Sequence, residues 1–184
     1  DDLMARHWNY WDEGKYRHLF IAKLTDGKAG EGVDIVGAEA AWDVPMAPYF
    51  DTAEIAWSNA GDRLAYTCKP LTGTEYAVST DSDIFVYARA SGKTVNICKP
   101  MEGRIRYNAM VHRPVPFPGY DKYPVWSPDD RYIAFRSMAT PGYEADKERL
   151  MLYDCRTARI EELTPAFDYH ATNVAWADDR TLWF

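Results

Sequence analysis

The chain has 184 residues, of which 28 are acidic and 21 are basic, so its formal net charge at pH 7 is −7. This acidic balance argues against a nucleic-acid partner, because phosphate-binding proteins present basic surfaces. Hydrophobic residues make up 47% of the chain and charged residues 27%, which excludes a wholly disordered or low-complexity protein. The apolar runs at residues 19–22 and 84–88 are much shorter than the roughly 18 residues of a membrane span, so no membrane association is expected.

The remaining composition favours short β-strands. Aromatic residues make up 15% of the chain, which also has 11 glycines and 11 prolines. Aromatic side chains suit half-buried strands, whereas glycine and proline mark turns. The three cysteines are too few for a disulfide framework.

The predicted strands follow a repeating order. Residues 17–36 hold half of a four-stranded unit, residues 53–98 and 123–164 each hold a whole unit, and residues 172–184 hold the first half of another. A ten-residue string is repeated along the chain. It begins at Trp57 as Trp-Ser-Asn-Ala-Gly-Asp-Arg-Leu-Ala-Tyr and at Trp126 as Trp-Ser-Pro-Asp-Asp-Arg-Tyr-Ile-Ala-Phe, and a shortened copy begins at Trp176. Tyr87 and Tyr153 end the third strands of the whole units. The tryptophans recur at one repeat position, so we expect them to pack in the core or between units.

This repeat predicts an all-β fold, a partial β-propeller of about three four-stranded blades. Its long segments are the loops 68–82 and 137–148, between the second and third strands, and the inserted connection 99–122. In an antiparallel blade these segments lie on one face of the propeller, where we expect function. Because an open arc exposes sheet edges, we expect either a larger parent ring or self-association through those edges.

Several strings are more specific than the general strand pattern. The core Trp-Ser-Pro-Asp-x-x-x-Ile-Ala-Phe is typical of TolB-like and dipeptidyl-peptidase-like repeats, and Gly-Thr-Glu-Tyr-Ala-Val-Ser-Thr from Gly73 and Gly-Tyr-Glu-Ala-Asp-Lys from Gly142 are more specific still. Together these strings resemble the N-terminal propeller of prolyl-oligopeptidase-family serine peptidases, in particular the dipeptidyl-peptidase V and acylaminoacyl-peptidase branch. Residues 102–118 depart from the family pattern as an apparent insertion, locally basic through Arg104, Arg106 and Arg113. We interpret it as a proline-stiffened surface loop; contact with an acidic substrate or with the hydrolase domain of such peptidases is the alternative.

The resemblance implies that the parent protein carries a C-terminal α/β-hydrolase domain, which packs on the propeller and holds the catalytic serine, aspartate and histidine. This chain contains no Gly-x-Ser-x-Gly motif, so we expect it to hold no catalytic residue and no cofactor. Its implied role is to wall the active-site chamber and to gate or position the amino termini of short peptides. A periplasmic or secreted location is expected, with a cytoplasmic one as the alternative. A TolB-like propeller that binds a protein partner without any enzyme is the second interpretation.

Two acidic residues in equivalent loops, each beside a tyrosine, are the candidate substrate-binding groups: Glu75, Tyr76, Tyr143 and Glu144. A carboxylate with aromatic walls can bind a peptide ammonium by a charge-assisted hydrogen bond. A structural ion pair or loop-ordering hydrogen bond is the alternative interpretation of both glutamates.

The sequence predicts no metal site. Asp83, Asp121 and Asp146 lie in or near the same loops but lack the spacing of a calcium loop, and the four histidines form no zinc-binding pair. We interpret Asp83 as a turn-capping residue. Cys68 and Cys98 end strands that are two apart, about 9.5 Å, which is too far for a disulfide.

Overall fold

The computed structural model describes residues 14–99 and 117–184, together with the backbone of residues 6–7 and 10–11. Of the predicted insertion 102–118, only residues 117 and 118 fall among the described residues. The fold is all-β, as the composition and repeat predicted. Its strands are β1 (Arg6–His7), β2 (Tyr10–Trp11), β3 (Phe20–Ile21), β4 (Leu24–Thr25), β5 (Lys28–Ala29), β6 (Val33–Asp34), β7 (Ile55–Trp57), β8 (Arg63–Cys68), β9 (Asp83–Ala88), β10 (Lys93–Asn96), β11 (Asp121–Trp126), β12 (Tyr132–Ser137), β13 (Arg149–Asp154), β14 (Arg159–Glu162), β15 (Ala175–Trp176) and β16 (Leu182–Trp183).

Two four-stranded antiparallel sheets form the centre of the described structure. The first has the order β10-β9-β8-β7 and the second the order β11-β12-β13-β14, so consecutive strands are neighbours in both. The shorter pairs β3-β6 and β15-β16 flank them in sequence, and the hairpin β4-β5 lies between β3 and β6 along the chain. Short polar turns, such as the Ser-Pro-Asp-Asp segment before β12, allow each chain reversal.

The two sheets pack face to face through one hydrophobic cluster. Ala65 and Ile84 of the first sheet meet Ile133, Phe135 and other apolar residues of the second, and the whole cluster is buried. The alternate residues of β8, Leu64 and Tyr66, face the opposite way into a cluster with Ile35 and Val44. Because successive side chains of a strand point to opposite faces, both faces of the first sheet are covered. This explains why the central strands are nearly continuous apolar runs rather than alternating ones.

A tryptophan contact is repeated where neighbouring sheets meet. The indole Nε1 of Trp126 donates to the carbonyl oxygen of Ala56 in the first sheet at 3.0 Å. In the same way, Nε1 of Trp176 donates to the carbonyl oxygen of Val125 in the second sheet at 3.2 Å. Trp57 differs from this pattern and from the predicted packing role, because its side chain is 46% exposed. Tyr153 is partly buried against the cluster between the two sheets, and Tyr87 is partly buried against the cluster on the opposite face of the first sheet.

The turns that precede β8 and β12 are joined by a polar contact. The Asp130 carboxylate accepts hydrogen bonds from the backbone amides of Asn59 at 2.6 Å and Ala60 at 2.8 Å, and from the Asn59 side chain at 3.0 Å. The Arg63 guanidinium donates to the Asp130 carbonyl oxygen and lies 4.5 Å from the centre of the Trp126 ring. We call this set of contacts the turn latch.

Two short helices interrupt the described strands. A 3₁₀ helix, Thr52–Glu54, is capped by the Asp51 side chain, which accepts from the Ala53 amide. The α-helix α1, Gly73–Val78, lies within the predicted loop 68–82, where the sequence analysis identified no helix. No helix among the described residues is long and apolar enough to cross a membrane.

Candidate functional site

A cleft of about 280 Å³ opens where β11 begins and β12 ends. It combines three tyrosines with two cations and two carboxylates, and its lining residues are Tyr49, Tyr120, Lys122, Tyr123, Arg136, Ser137, Met138, Glu144 and Glu148. Most of them come from β11, from the end of β12 and from the loop that follows β12. The cleft therefore lies at the loops on which the sequence analysis expected function to concentrate.

A β-bulge shapes the floor of the cleft. The pairing of β11 with β12 changes register between Lys122 and Val125. At this point Tyr123 adopts a φ of 58°, in the left-handed region that side chains other than glycine rarely occupy. In a regular strand Lys122 and Tyr123 would face opposite sides, whereas here both line the cleft. Backbone strain of this kind persists only where surrounding contacts hold it.

Lys122 places a buried ammonium among aromatic rings. Its Nζ lies 3.9 Å from the centre of the Tyr120 ring and 5.2 Å from that of Tyr49, in cation–π geometry. Burial lowers the pKa of Lys122, and the negative charge of the nearby buried Glu54 opposes this effect. Glu54 is held in place by the Met46 amide, which donates to its carboxylate at 2.8 Å.

Glu144 supplies a carboxylate that is held by a neutral donor. The Tyr120 hydroxyl donates to Glu144 Oε1 at 3.1 Å. Burial and the adjacent negative charge of Glu144 raise the pKa of Tyr120, so this phenol keeps its proton. Among residues 14–99 and 117–184, no lysine or arginine forms an ion pair with Glu144. The carboxylate therefore retains the capacity to pair with a cation that enters the cleft.

The other cleft carboxylate is already paired. Glu148 lies 2.9 Å from the guanidinium of Arg136, and both side chains are about four-fifths buried. The Arg136 guanidinium also stacks on the Tyr123 ring, 3.9 Å from its centre. This arrangement holds one wall of the cleft in place. Of the two cleft carboxylates, Glu144 is therefore the one that can form an ion pair with an entering cation.

Lys69 and Tyr76 lie beside the cleft. The Lys69 ammonium donates to the Tyr76 carbonyl oxygen at 2.7 Å and lies 4.1 Å from the centre of the Tyr76 ring. Burial lowers the pKa of Lys69 to about 8, although the negative charge of Glu144 acts in the opposite direction. Lys69 thus interacts electrostatically with the cleft carboxylate, although the two groups form no ion pair.

The four predicted site residues separate into two groups. Glu144 lines the cleft, and Tyr76 does not line it but contacts Lys69. Glu75 is exposed on α1, and Tyr143 is 57% exposed, and neither lines the cleft. The sequence alone did not predict a site role for Lys69, Lys122 or Arg136, or for the tyrosines 49, 120 and 123. The string Gly-Tyr-Asp from Gly119, which contains Tyr120, is the local sequence signal closest to them.

No protein-family model matches this chain. Among curated proteins, it is 38% identical over 178 residues to dipeptidyl-peptidase 5 of Porphyromonas gingivalis, covering 97% of this chain and 23% of that protein. It is 36% identical to dipeptidyl-peptidase 5 of Porphyromonas endodontalis, over 82% of this chain and 19% of the relative. The protein of the same name from Aspergillus oryzae is 27% identical, over 99% of this chain and 25% of the relative.

Among solved structures, the AtxE2 isopeptidase without ligand matches 71% of this chain and 19% of its own, with 16% identity and a TM-score of 0.48. The chain spans about a quarter of the length of the curated relatives it matches. It is thus similar, along nearly all of its own length, to one segment of proteins named dipeptidyl-peptidase 5.

Proposed function

We propose that this chain is a segment of the β-propeller of a serine exopeptidase and forms part of the wall of its active-site chamber. Support comes from two consecutive four-stranded antiparallel sheets that pack face to face and from the tryptophan contact repeated between neighbouring sheets. Similarity to a quarter-length segment of dipeptidyl-peptidase 5 proteins supports the peptidase assignment. In this proposal catalysis belongs to an α/β-hydrolase domain elsewhere in the parent protein, which works outside the cytoplasm, in the periplasm or secreted.

We further propose that the cleft positions the amino terminus of a short peptide. The observation that carries this proposal is Glu144, which is held by the Tyr120 hydroxyl and forms no ion pair with a described lysine or arginine. A peptide ammonium that enters the cleft gains a charge-assisted hydrogen bond to Glu144 and contact with the aromatic ring faces. Such a bond contributes about 1.5–3 kcal/mol when it is shielded from solvent, but Glu144 is exposed, so screening reduces the expected contribution to about 1 kcal/mol.

The test uses the full-length protein and the variant Glu144→Gln, which keeps an acceptor for Tyr120 but removes the charge. We expect kcat/KM for a free-amine peptide to fall about fivefold, the equivalent of about 1 kcal/mol for the lost charge-assisted bond. The same peptide with an acetylated amino terminus should be almost unaffected, because it brings no ammonium. Glu75→Gln is the matched control, since Glu75 is exposed like Glu144 but does not line the cleft.

Equal losses for the free and acetylated peptides would contradict the ammonium-binding role. A full-length protein without any peptidase activity would instead favour the TolB-like alternative, a propeller that binds a protein partner.

A further inference from the structure

A second cluster of chemically reactive side chains lies at the junction of the two four-stranded sheets, where Asp121 adjoins the cleft residues Lys122 and Ser137 but does not itself line the cleft. Asp83 is the first residue of β9, Asp121 is the first residue of β11, and Cys98 follows the end of β10. The connection 99–120 leaves the first sheet after Cys98 and enters the second at Asp121. The three side chains therefore meet where the two ends of this connection converge.

Backbone contacts fix this convergence. The Asp121 amide donates to the Ser82 carbonyl oxygen at 3.0 Å, and the Ser82 amide donates to the Gly119 carbonyl oxygen at 3.2 Å. The Ser82 hydroxyl adds a bond to the Asp121 carbonyl oxygen at 3.1 Å. Gly119 itself is closely packed, because a Cβ at this position would lie 2.6 Å from the Met138 carbonyl oxygen. The main chain on both sides of the cluster is thus held in place independently of the three side chains.

Each of the three residues offers one donor atom, and these atoms lie within 4.8 Å of one another. All three side chains are buried: Asp121 is 0% exposed, Asp83 is 1% and Cys98 is 3%. A tetrahedral zinc ion with bonds of about 2.0–2.3 Å has donors roughly 3.5 Å apart, so small side-chain rotations bring these atoms to a common centre.

The hydrogen bonds of the cluster are incomplete. Oδ2 of Asp83 accepts from the Asn96 side chain at 2.7 Å and lies 3.3 Å from the Lys99 ammonium, but its Oδ1 has no hydrogen-bond partner. Neither carboxylate oxygen of Asp121 accepts a hydrogen bond of acceptable geometry. Buried polar atoms are nearly always paired in folded proteins, so three orphan oxygens at one point indicate a missing partner.

We propose that Asp83, Cys98 and Asp121 form a structural zinc site that joins the two sheets and closes the base of the 99–120 connection. A thiolate beside two carboxylates suits zinc, whereas calcium and magnesium prefer oxygen ligands alone. The three protein donors leave a fourth position for a water molecule or for a second oxygen of one carboxylate. Because the site is buried, the ion enters while the protein folds, and binding releases to the solvent the Cys98 thiol proton and, where Asp121 is neutral, its carboxyl proton. This role is independent of the proposed peptide binding.

A proton is the competing occupant. Burial raises the pKa of Asp121 well above its usual value, against the effect of the nearby Ser137 hydroxyl and Cys98 thiol, which favour the ionised form. A neutral Asp121 that holds its own proton is the state expected if no metal binds. The two states differ in metal content and in thiolate coordination, and both properties are measurable.

The experiment compares the full-length protein with its Cys98→Ser and Asp121→Asn variants. Metal content is measured after purification with zinc and again after dialysis against a chelator. We expect each variant to carry one zinc equivalent less than the parent protein and to lose the rise in unfolding temperature that zinc gives the parent. Cys68→Ser is the matched control, because Cys68 is also a buried free thiol of the first sheet but lies outside the cluster. It should keep the full zinc content.

Cobalt binding can be measured in the parent protein itself, so this test does not depend on whether a variant folds. Cobalt supplied in place of zinc while the protein folds should give the parent protein, and the Cys68→Ser control, a thiolate-to-cobalt charge-transfer absorption. Absence of this absorption from the parent protein, or its persistence in Cys98→Ser, would overturn the proposal. Equal zinc content in the parent and Cys98→Ser proteins would do the same.

Discussion

Replacing Asp130 by glycine should open the turn latch between the two sheets. The substitution removes three hydrogen bonds, from the Asn59 amide, the Ala60 amide and the Asn59 side chain. Glycine is the suitable replacement because Asp130 has a φ of 57°, which an alanine would occupy only under strain. Bonds to a charged acceptor contribute about 1.5–3 kcal/mol each when buried, but solvent screening reduces this at a partly exposed turn. We therefore expect the latch to lose about 2 kcal/mol in total, which corresponds to roughly a 30-fold change in its opening equilibrium.

Hydrogen exchange in the full-length protein measures this opening directly. The amides of Asn59 and Ala60 should exchange about 30-fold faster in Asp130→Gly than in the parent protein. Asp129→Ala is the matched control, because Asp129 accepts from Ser127 and Arg131 within its own turn. It should leave exchange at Asn59 and Ala60 within about twofold. Unchanged exchange of these two amides in Asp130→Gly would refute the latch.

The same latch predicts a pH dependence. Partial burial raises the pKa of Asp130, but the hydrogen bonds from Ala60 and Asn59 lower it more, so the net shift is below the usual 3.8. A carboxyl with a lowered folded-state pKa contributes stability above its unfolded pKa and loses it as the pH falls through the folded value. The difference in opening free energy between the parent and Asp130→Gly should therefore be constant from neutral pH down to about 4 and shrink only at lower pH.

Two further predictions concern buried polar groups. Trp126→Phe removes the donor to the Ala56 carbonyl oxygen and should lower the free energy of unfolding by about 1–3 kcal/mol. Trp57→Phe, at the exposed equivalent position, should change the free energy of unfolding by less than about 0.5 kcal/mol. Denaturant unfolding compares the two variants, and equal effects would contradict the role of Trp126 in joining the two sheets. Burial lowers the pKa of Lys69 to about 8 from 10.5, so above pH 8 the folded protein loses this proton before the unfolded chain does. The free energy of unfolding should then rise relative to that of Lys69→Met between about pH 8 and pH 10, and a pH-independent difference between the two proteins would contradict this.

The strand pattern was predictable because it depends on local sequence. The apolar runs of β8, β9, β12 and β13 are long enough to be identified without tertiary information, and the Ser-Pro-Asp-Asp turn fixes the reversal before β12. Helix α1 was not predicted, since its six residues are too few to show a helical period and stand inside a loop. The closure of the sheets into a propeller ring stays a prediction.

The candidate site was less predictable, because its residues come together through tertiary structure. The loop position and the neighbouring tyrosine of Glu144 predict a residue that does line the cleft, but the same pattern selects Glu75, which does not. No local pattern indicates that Lys122 and Tyr123 line one cleft, since this depends on a bulge in the β11–β12 pairing. Asp83 was interpreted as a turn cap, yet it lies in β9 and contacts Asn96 and Lys99. Its proximity to Cys98 and Asp121 depends on strands far apart in sequence.

The repeated tryptophan contact has a consequence for how such units diverge. Its donor is a side chain, but its acceptor is a main-chain carbonyl oxygen, supplied by Ala56 in one case and by Val125 in the other. Every residue type carries this oxygen, so the accepting unit places no demand on its own side chain at that position. For this one contact, which acts beside the hydrophobic cluster and the turn latch, only the tryptophan has to be kept. At this contact, one unit can accumulate substitutions without a matching change in the next. The loops can then acquire different chemistry while the arrangement of the sheets stays the same.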